Sequence, residues 1–329
     1  MKASKVPAAY HGPGWQPRES TLAAEIAVGQ HWRTSGVDSE WETLREAVLY
    51  LPPRSDRSRP KNADSLQHLE PVDFNLLQAQ LQELARILRK AGVLVQALQA
   101  KQAVRRQQAN LCFVRDLFFM TPEGAIISRM ASEVRAGEER WAAKTLACLG
   151  VPIVTCIGGS SVFEGADALW ISPSLVFIGL GKRTNREGFQ QVRQLLRRQG
   201  IRCTPISLPP RVQHLLGILQ VVDRDLALIR EEKLDPKARE QLAEEGFEVV
   251  NLRETEEVVQ RQAMNFIILG PRCVVMAVGN PRVTETLYKV GIQVWAEVEA
   301  GELIKAAGGL ACATGILRRD LRTDSCPFS

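Results

Sequence analysis

Aromatic residues make up only 6% of this 329-residue chain, and only four residues are histidine. The basic clusters at 104–108 (VRRQQ), 195–200 (LLRRQG) and 316–320 (ILRRD) have no aromatics interleaved to stack on bases. They read as solvated faces, with no nucleic-acid partner expected. No apolar run reaches the roughly 18 residues a membrane span needs, and the opening MKASKVPAAYHGPGW lacks the apolar core of a secretory signal. The expectation is a cytoplasmic protein with no membrane partner. The seven cysteines (112, 148, 156, 203, 273, 312 and 326) form no Cys-x-x-Cys pair and are odd in number. That argues against a disulfide framework and a zinc site, and for reduced thiols. No metal and no cofactor are expected. GLGKRTNREG has close glycines without the GxGxxG spacing, and CIGGSS (156–161) has no Lys-Ser/Thr end to cradle phosphate.

What is present is an ordinary globular balance, 45% hydrophobic and 24% charged with a net charge of +5, enough to bury a full core. Residues 1–43 carry Gly, Pro, Ser and charge with little periodicity and read as an extension laid over the domain. Residues 44–320 form the expected catalytic domain, and 321–329 a tail. The segment at 45–51 (REAVLYL) reads as a strand, 55–68 as a polar loop, 74–92 as a helix ending on Gly92, and 93–98 as a second strand. A strand–strand–helix–strand rhythm then recurs. Its strand pairs are NLCFVRDLFFMTPEGAIIS, ADALWISPSLVFIGLG, LGILQVVDRDLALI and AMNFIILGPRCVVMAVG, each turning on Gly, Pro, Ser or Asp. ACATGILRR at 311–319 supplies a last strand able to pair with the first. Five such units imply an α/β, pseudo-fivefold propeller of ββαβ repeats around a central channel, with functional residues at equivalent points of different repeats.

The rare polar residues fall at those points. His214, the only histidine after residue 68, opens the third strand pair, and Cys312 opens the last strand. A cysteine nucleophile needs a base or cation nearby to populate its thiolate. Glu164 and Asp167 flank Gly165 at the second pair, and Asp116 lies in the first, read as a strand position. A buried Asp there must meet a cation, either a neighbour such as Arg115 or a bound one. A thiol, an imidazole and carboxylates at successive mouths suit attack on a carbon whose cationic substituents the carboxylates hold. A guanidinium fits: planar, delocalised and always charged.

These residues, with the ordered motifs SEWETLREAVL, NLCFVRD, FEGADAL, GLGKRTNREG, QHLLG, MNFIILGPR and GGLAC, resemble the guanidine-modifying enzymes of the pentein superfamily: arginine deiminases, dimethylargininases and amidinotransferases. The resemblance covers about residues 40–320. It implies that Cys312 is the nucleophile, forming a covalent amidino-thioether, and that His214 protonates the leaving amine and later activates water. It implies that Glu164 holds both guanidinium and imidazole, that Asp116 binds the guanidinium nitrogens, and that Arg183 binds the substrate carboxylate, with Arg135 as a second such arginine; Asp167, beside Glu164, is a further substrate-binding candidate by its position.

Two positions depart from these relatives. Leu216 stands where arginine deiminases and amidinotransferases usually show an aspartate, and an apolar wall there would suit an N-substituted guanidine. Asn110 stands where dimethylargininases generally carry an aspartate. The implied activity is a cysteine-dependent hydrolase of arginine or an N-substituted arginine, with a small guanidino compound as substrate. An amidinotransferase passing the group to an amine is the alternative. A ribosome anti-association factor uses the same propeller without the catalytic cysteine; retention of Cys312, His214, Glu164 and Asp116 argues against that reading. A homodimer is compatible with the sequence. CIGGSS reads equally as a lid before Glu164 or a plain loop, and Cys112, Cys156 and Cys273 as packing residues in strands.

Overall fold

The recurring rhythm closes, in the computed structural model, as five three-stranded sheets. The structure describes residues 6–51, 62–100 and 109–321. The basic cluster at 104–108, the first part of the 55–68 loop, and Cys326 with the tail from residue 322 lie outside them.

Helix α1 (Leu22–Val28) precedes β1 (Leu44–Leu49), α2 (Phe74–Lys90) and β2 (Leu94–Ala97). The next unit comprises β3 (Phe118–Thr121), β4 (Gly124–Ile127), α3 (Glu139–Cys148) and β5 (Ile153–Cys156). It is followed by β6 (Ala168–Ser172), β7 (Leu175–Leu180), α4 (Arg186–Arg198) and β8 (Arg202–Ser207). Then come β9 (Leu219–Asp223), β10 (Leu226–Arg230), α5 (Pro236–Glu244), β11 (Glu248–Leu252) and the short α6 (Glu256–Val259). The last stretch holds β12 (Ile267–Gly270), β13 (Cys273–Ala277), α7 (Pro281–Lys289), β14 (Gln293–Val298), α8 (Gly301–Lys305), α9 (Leu310–Ala313) and β15 (Gly315–Arg319).

Four sheets have one topology: an antiparallel hairpin, then a helical crossover to a third strand parallel to the second. In the fifth, β15 from the far end of the chain pairs antiparallel with β1, and β2 pairs parallel on the other side. Second strands such as β4 and β7 are buried nearly throughout, whereas the third strands β5, β8 and β11 are largely half-exposed. Near-continuous apolar runs therefore lie inside and mixed runs outside. The first strands touch round the ring, β15 against β3, β6 against β9 and β9 against β12.

Helix signals explain the crossovers. Asp73 caps α2 by accepting from the Asn75 and Leu76 N–H groups, and Leu77, Leu81, Leu84 and Leu88 form its buried stripe. Asn185 caps α4 by accepting from Gly188 N–H, while Arg197 and Arg198 occupy its last turn. The N-terminal extension is more deeply built in than a cover. Residues 35–41 are all buried, Trp41 is 2% exposed, and both Glu40 carboxylate oxygens accept from Arg115 Nη2 at 2.9 Å. Arg115 thus serves the interior and leaves its neighbour Asp116 to other partners.

Two local readings change. Residues 114–117 form a 3₁₀ turn that precedes β3, so Asp116 stands before the strand, and Cys112 lies in the turn ahead of it. Cys312 belongs to the helical turn α9, and the strand begins only at Gly315. Both shifts have one cause: each inner strand is entered through a tight turn, which frees backbone and side chains to face the pocket.

Candidate active site

Three of those entry turns are linked in series, 114–117 touching 165–167 and 165–167 touching 215–217, and α9 touches the first. Close approach requires Gly165, where a Cβ would lie 2.3 Å from the Phe118 carbonyl oxygen and 2.6 Å from that of Arg115. Beside the turns lies a pocket lined by Asn110, Asp116, Arg135, Arg183, His214 and Cys312, together with Gln67, Phe113, Gln213 and 306–308. Six of the nine expected site residues are therefore gathered at one cavity.

Glu164 sits at the centre of charge and is fully buried. Its Oε2 accepts from His214 Nε2–H at 2.7 Å and from Arg183 Nη1–H at 3.2 Å, with Arg135 Nη1 at 3.8 Å. Its Oε1 accepts from Ala131 N–H at 3.1 Å. Burial opposes the charge, but the His214 bond and the surrounding cations hold the carboxyl down at about 2. For His214, burial again opposes the charged form, and Asp116, Asp167 and Glu164 overcome it, raising the imidazole to about 9. At neutral pH the pair is an imidazolium on a carboxylate. His214 Nδ1 faces Asp116 Oδ1 across 3.9 Å.

Asp116 is nearly buried, with Oδ2 accepting from Arg135 Nη1–H. Its Oδ1 accepts no hydrogen bond among the described residues. A buried carboxylate oxygen beside the pocket is suited to N–H donors of a cation. Atoms of Asp116, Glu164 and His214 lie within 4.8 Å of one another, close enough to share a metal ion. The cations on those carboxylates in the chain itself are His214, Arg135 and Arg183.

Cys312 is half-buried in the pocket wall. Burial, and then Asp116, push its thiol up to about 11, against a hydrogen bond from Asn265. At neutral pH Cys312 is therefore a neutral thiol, in a pocket whose lining also includes the His214 imidazolium.

Three expected roles change. Leu216 does not line the pocket; it is 3% exposed and packs in the core with Trp41, Leu169, Phe177 and Leu219. The 3₁₀ turn has three residues per revolution, so two positions beyond His214 the side chain faces away. Asp167 is also absent from the wall. Its Oδ2 accepts from Thr184 Oγ1–H at 2.6 Å and its Oδ1 from Leu215 N–H at 3.0 Å, bracing the turn behind His214. Burial lifts this carboxyl to about 7. Arg135 reaches the pocket, but each of its three nitrogens is engaged: Nε with Glu138 at 2.8 Å, Nη1 with Asp116, and Nη2 with the Phe113 carbonyl at 3.2 Å. It is a bracket under Asp116 more than an anchor for a substrate carboxylate. Arg183, 18% exposed, has donors to spare.

Asn110 Nδ2 donates to the Leu66 carbonyl at 2.9 Å, so its Oδ1 accepts from His68 Nε2–H at 3.0 Å. The amide ties residues 66–68 to the rim. CIGGSS is no lid: Gln191 bonds Gly158 and Ser161, and Asn185 Nδ2 donates to the Ser160 carbonyl, pinning the loop to α4 away from the pocket.

Sequence reasoning missed Glu138, the buried partner of Arg135, and Asn265, which lies at the mouth of the fourth strand pair, ahead of β12. Asn265 Nδ2–H donates to Cys312 Sγ at 2.9 Å, and its Oδ1 accepts from Cys312 N–H at 3.1 Å. The available signal was positional. Candidate groups stand at four mouths in the sequence, and Asn265 is the polar residue at the fifth. For Glu138 only its three-residue spacing from Arg135 was visible.

A family model described as "N,N dimethylarginine dimethylhydrolase, eukaryotic" matches residues 64–317. The chain is 25% identical over 292 residues to the uncharacterized protein YkgA of Bacillus subtilis, covering 88% of this chain and 97% of that one. It is 28% identical over 201 residues to an N(G),N(G)-dimethylarginine dimethylaminohydrolase of Pseudomonas aeruginosa, covering 61% of this chain and 74% of that one. Among solved structures, SxtG, an amidinotransferase from Microseira wollei in the saxitoxin biosynthetic pathway, has a similar fold. Its TM-score is 0.72 at 15% identity, over 88% of this chain and 99% of that one.

Proposed function

The chain belongs to the N,N dimethylarginine dimethylhydrolase family of the pentein superfamily, and from that premise we propose that it hydrolyses a guanidinium C–N bond of arginine or an N-substituted arginine. The reading is carried by one observation: a thiol, an imidazolium and an open carboxylate oxygen line a single pocket. The relative from Pseudomonas aeruginosa, named for dimethylarginine, supports an N-methylated substrate.

In this reading the guanidinium donates to Asp116 Oδ1, and Arg183 takes the anionic tail. The arriving cation offsets Asp116 and favours loss of the Cys312 proton to solvent. The thiolate attacks the guanidinium carbon, forming a C–S bond. His214 gives its proton to the departing nitrogen, and the C–N bond breaks with release of the amine. The neutral imidazole then takes a proton from water as its oxygen bonds to the amidino carbon. The C–S bond breaks as the remaining hydroxyl proton is lost to solvent, returning the thiolate and leaving a ureido product. Glu164 holds the imidazole in place through both halves and favours its charged form.

Amidino transfer shares the first half, with an amine in place of water, and the similarity to SxtG is one of fold alone. The test uses arginine, mono- and dimethylarginines, agmatine and guanidino acids in ¹⁸O-water, with and without added ornithine or glycine, and products read by mass. Hydrolysis gives a citrulline-type product with one heavy oxygen and free amine. A transfer product without heavy oxygen would replace the hydrolase reading, and the absence of both product and Cys312 adduct would overturn it.

A further inference from the structure

We propose that Asn265 positions the Cys312 thiol and prepares it to ionise, so that all five repeats contribute to the site. The inference rests on the reading of Cys312 as nucleophile and deepens it. The contact is a two-point clamp, with Sγ 2.9 Å from Nδ2 and Cys312 N 3.1 Å from Oδ1. Its polarity follows from chemistry. A backbone N–H only donates, so the amide oxygen must face it, and the NH₂ end must therefore face sulfur. The second N–H of that group reaches Gln262 Oε1 at 3.4 Å, and Asn265 O accepts from Ala311 N–H at 3.3 Å. The side chain is 5% exposed, which shields the donor from water.

A neutral thiol accepts such a bond weakly and a thiolate accepts it strongly, so the clamp gains on ionisation. An amide does this without adding the negative charge that a carboxylate would place beside sulfur. The fit also explains a glycine. At Gly309, the residue before α9, a Cβ would lie 2.6 Å from Asn265 Cγ and 2.7 Å from its Cβ. Only glycine lets the amide lie along the turn that carries Cys312.

The test needs no substrate, so it separates this inference from the proposed reaction. Iodoacetamide alkylation of Cys312 is followed by peptide mass from pH 7 to 10 in wild type, Asn265→Ala and Asn265→Asp. Peptide mapping is required because Cys148 and Cys156 are exposed. Loss of one donor to the thiolate should slow alkylation at pH 8 by about tenfold in Asn265→Ala and further in Asn265→Asp, with the titration moved to higher pH. A purely structural role would alter melting without moving the titration. Asn265→Leu, which keeps the volume, replaces Asn265→Ala should that variant not fold. Wild-type alkylation in the neutral variant overturns the proposal. So does slowing confined to Asn265→Asp, because that effect belongs to the added charge.

Discussion

Glu164→Gln is the most informative single change in the site. The substitution keeps the shape and removes one charge from a fully buried position that serves His214, Arg183 and, at longer range, Arg135. His214 stands at about 9 because its carboxylate neighbours outweigh burial. Replacing a charge-assisted hydrogen bond by a neutral one forfeits about 1–2 kcal/mol, or about one pKa unit for the imidazole. The titration midpoint should therefore fall to about 8 or below. Because the folded value is raised above the ordinary 6.5, the imidazolium contributes its full stability below about 6.5. That contribution is lost as pH climbs through about 9, and in the variant the loss should come earlier. Breaking the buried pair should also cost about 3–5 kcal/mol of folding free energy. Proton–carbon NMR of the imidazoles measures the midpoint directly. The chain has only four histidines, and the His214 signal is the one missing from His214→Ala. A midpoint unchanged or raised in Glu164→Gln would refute the account of how this site keeps its imidazole charged.

Cys312→Ser should abolish turnover while leaving the melting curve near wild type, since the hydroxyl is far less acidic and nucleophilic; retained turnover would remove Cys312 from the mechanism. The active free-enzyme form needs imidazolium and thiolate together, with His214 at about 9 and Cys312 at about 11. Accordingly kcat/KM should rise about tenfold per pH unit from 7 to 9 and then level, and a flat profile over that range would contradict the assignment. Leu216→Asp should destabilise the fold by several kcal/mol through a buried, unpaired carboxylate, with no shift in preference between arginine and methylarginine. A folded variant with altered specificity would return Leu216 to the pocket wall.

Repeat architecture was legible because periodicity reports which faces are buried, and five strand pairs separated by capped helices leave few alternatives. The site was legible where a residue's chemistry is rare. One late histidine, one thiol before a strand and carboxylates at strand mouths stand out without coordinates. What escaped was direction. Leu216 is two positions from His214, and a 3₁₀ turn rotates such a neighbour out of view, whereas Asp167 is drawn off the pocket by the Thr184 hydroxyl and the Leu215 N–H. Arg135 reads as a free cation until Glu138, Asp116 and the Phe113 carbonyl are seen to engage all three of its nitrogens. Asn265 escaped because a lone asparagine has no chemistry of its own. Its meaning comes from a sulfur 47 positions away.

The pairing of β15 with β1 bears on the order of assembly. A chain made from its N-terminus has β1 and β2 early, yet that sheet lacks its third strand until residues 315–319 arrive. Cys312 stands three residues ahead of that strand, on the turn held by Asn265. Arrival of the last strand and delivery of the thiol are therefore one event. In the proposed reaction the attacking thiol thus reaches its pocket only with the strand that fastens the ring, so a chain with an open seam is also an unarmed one.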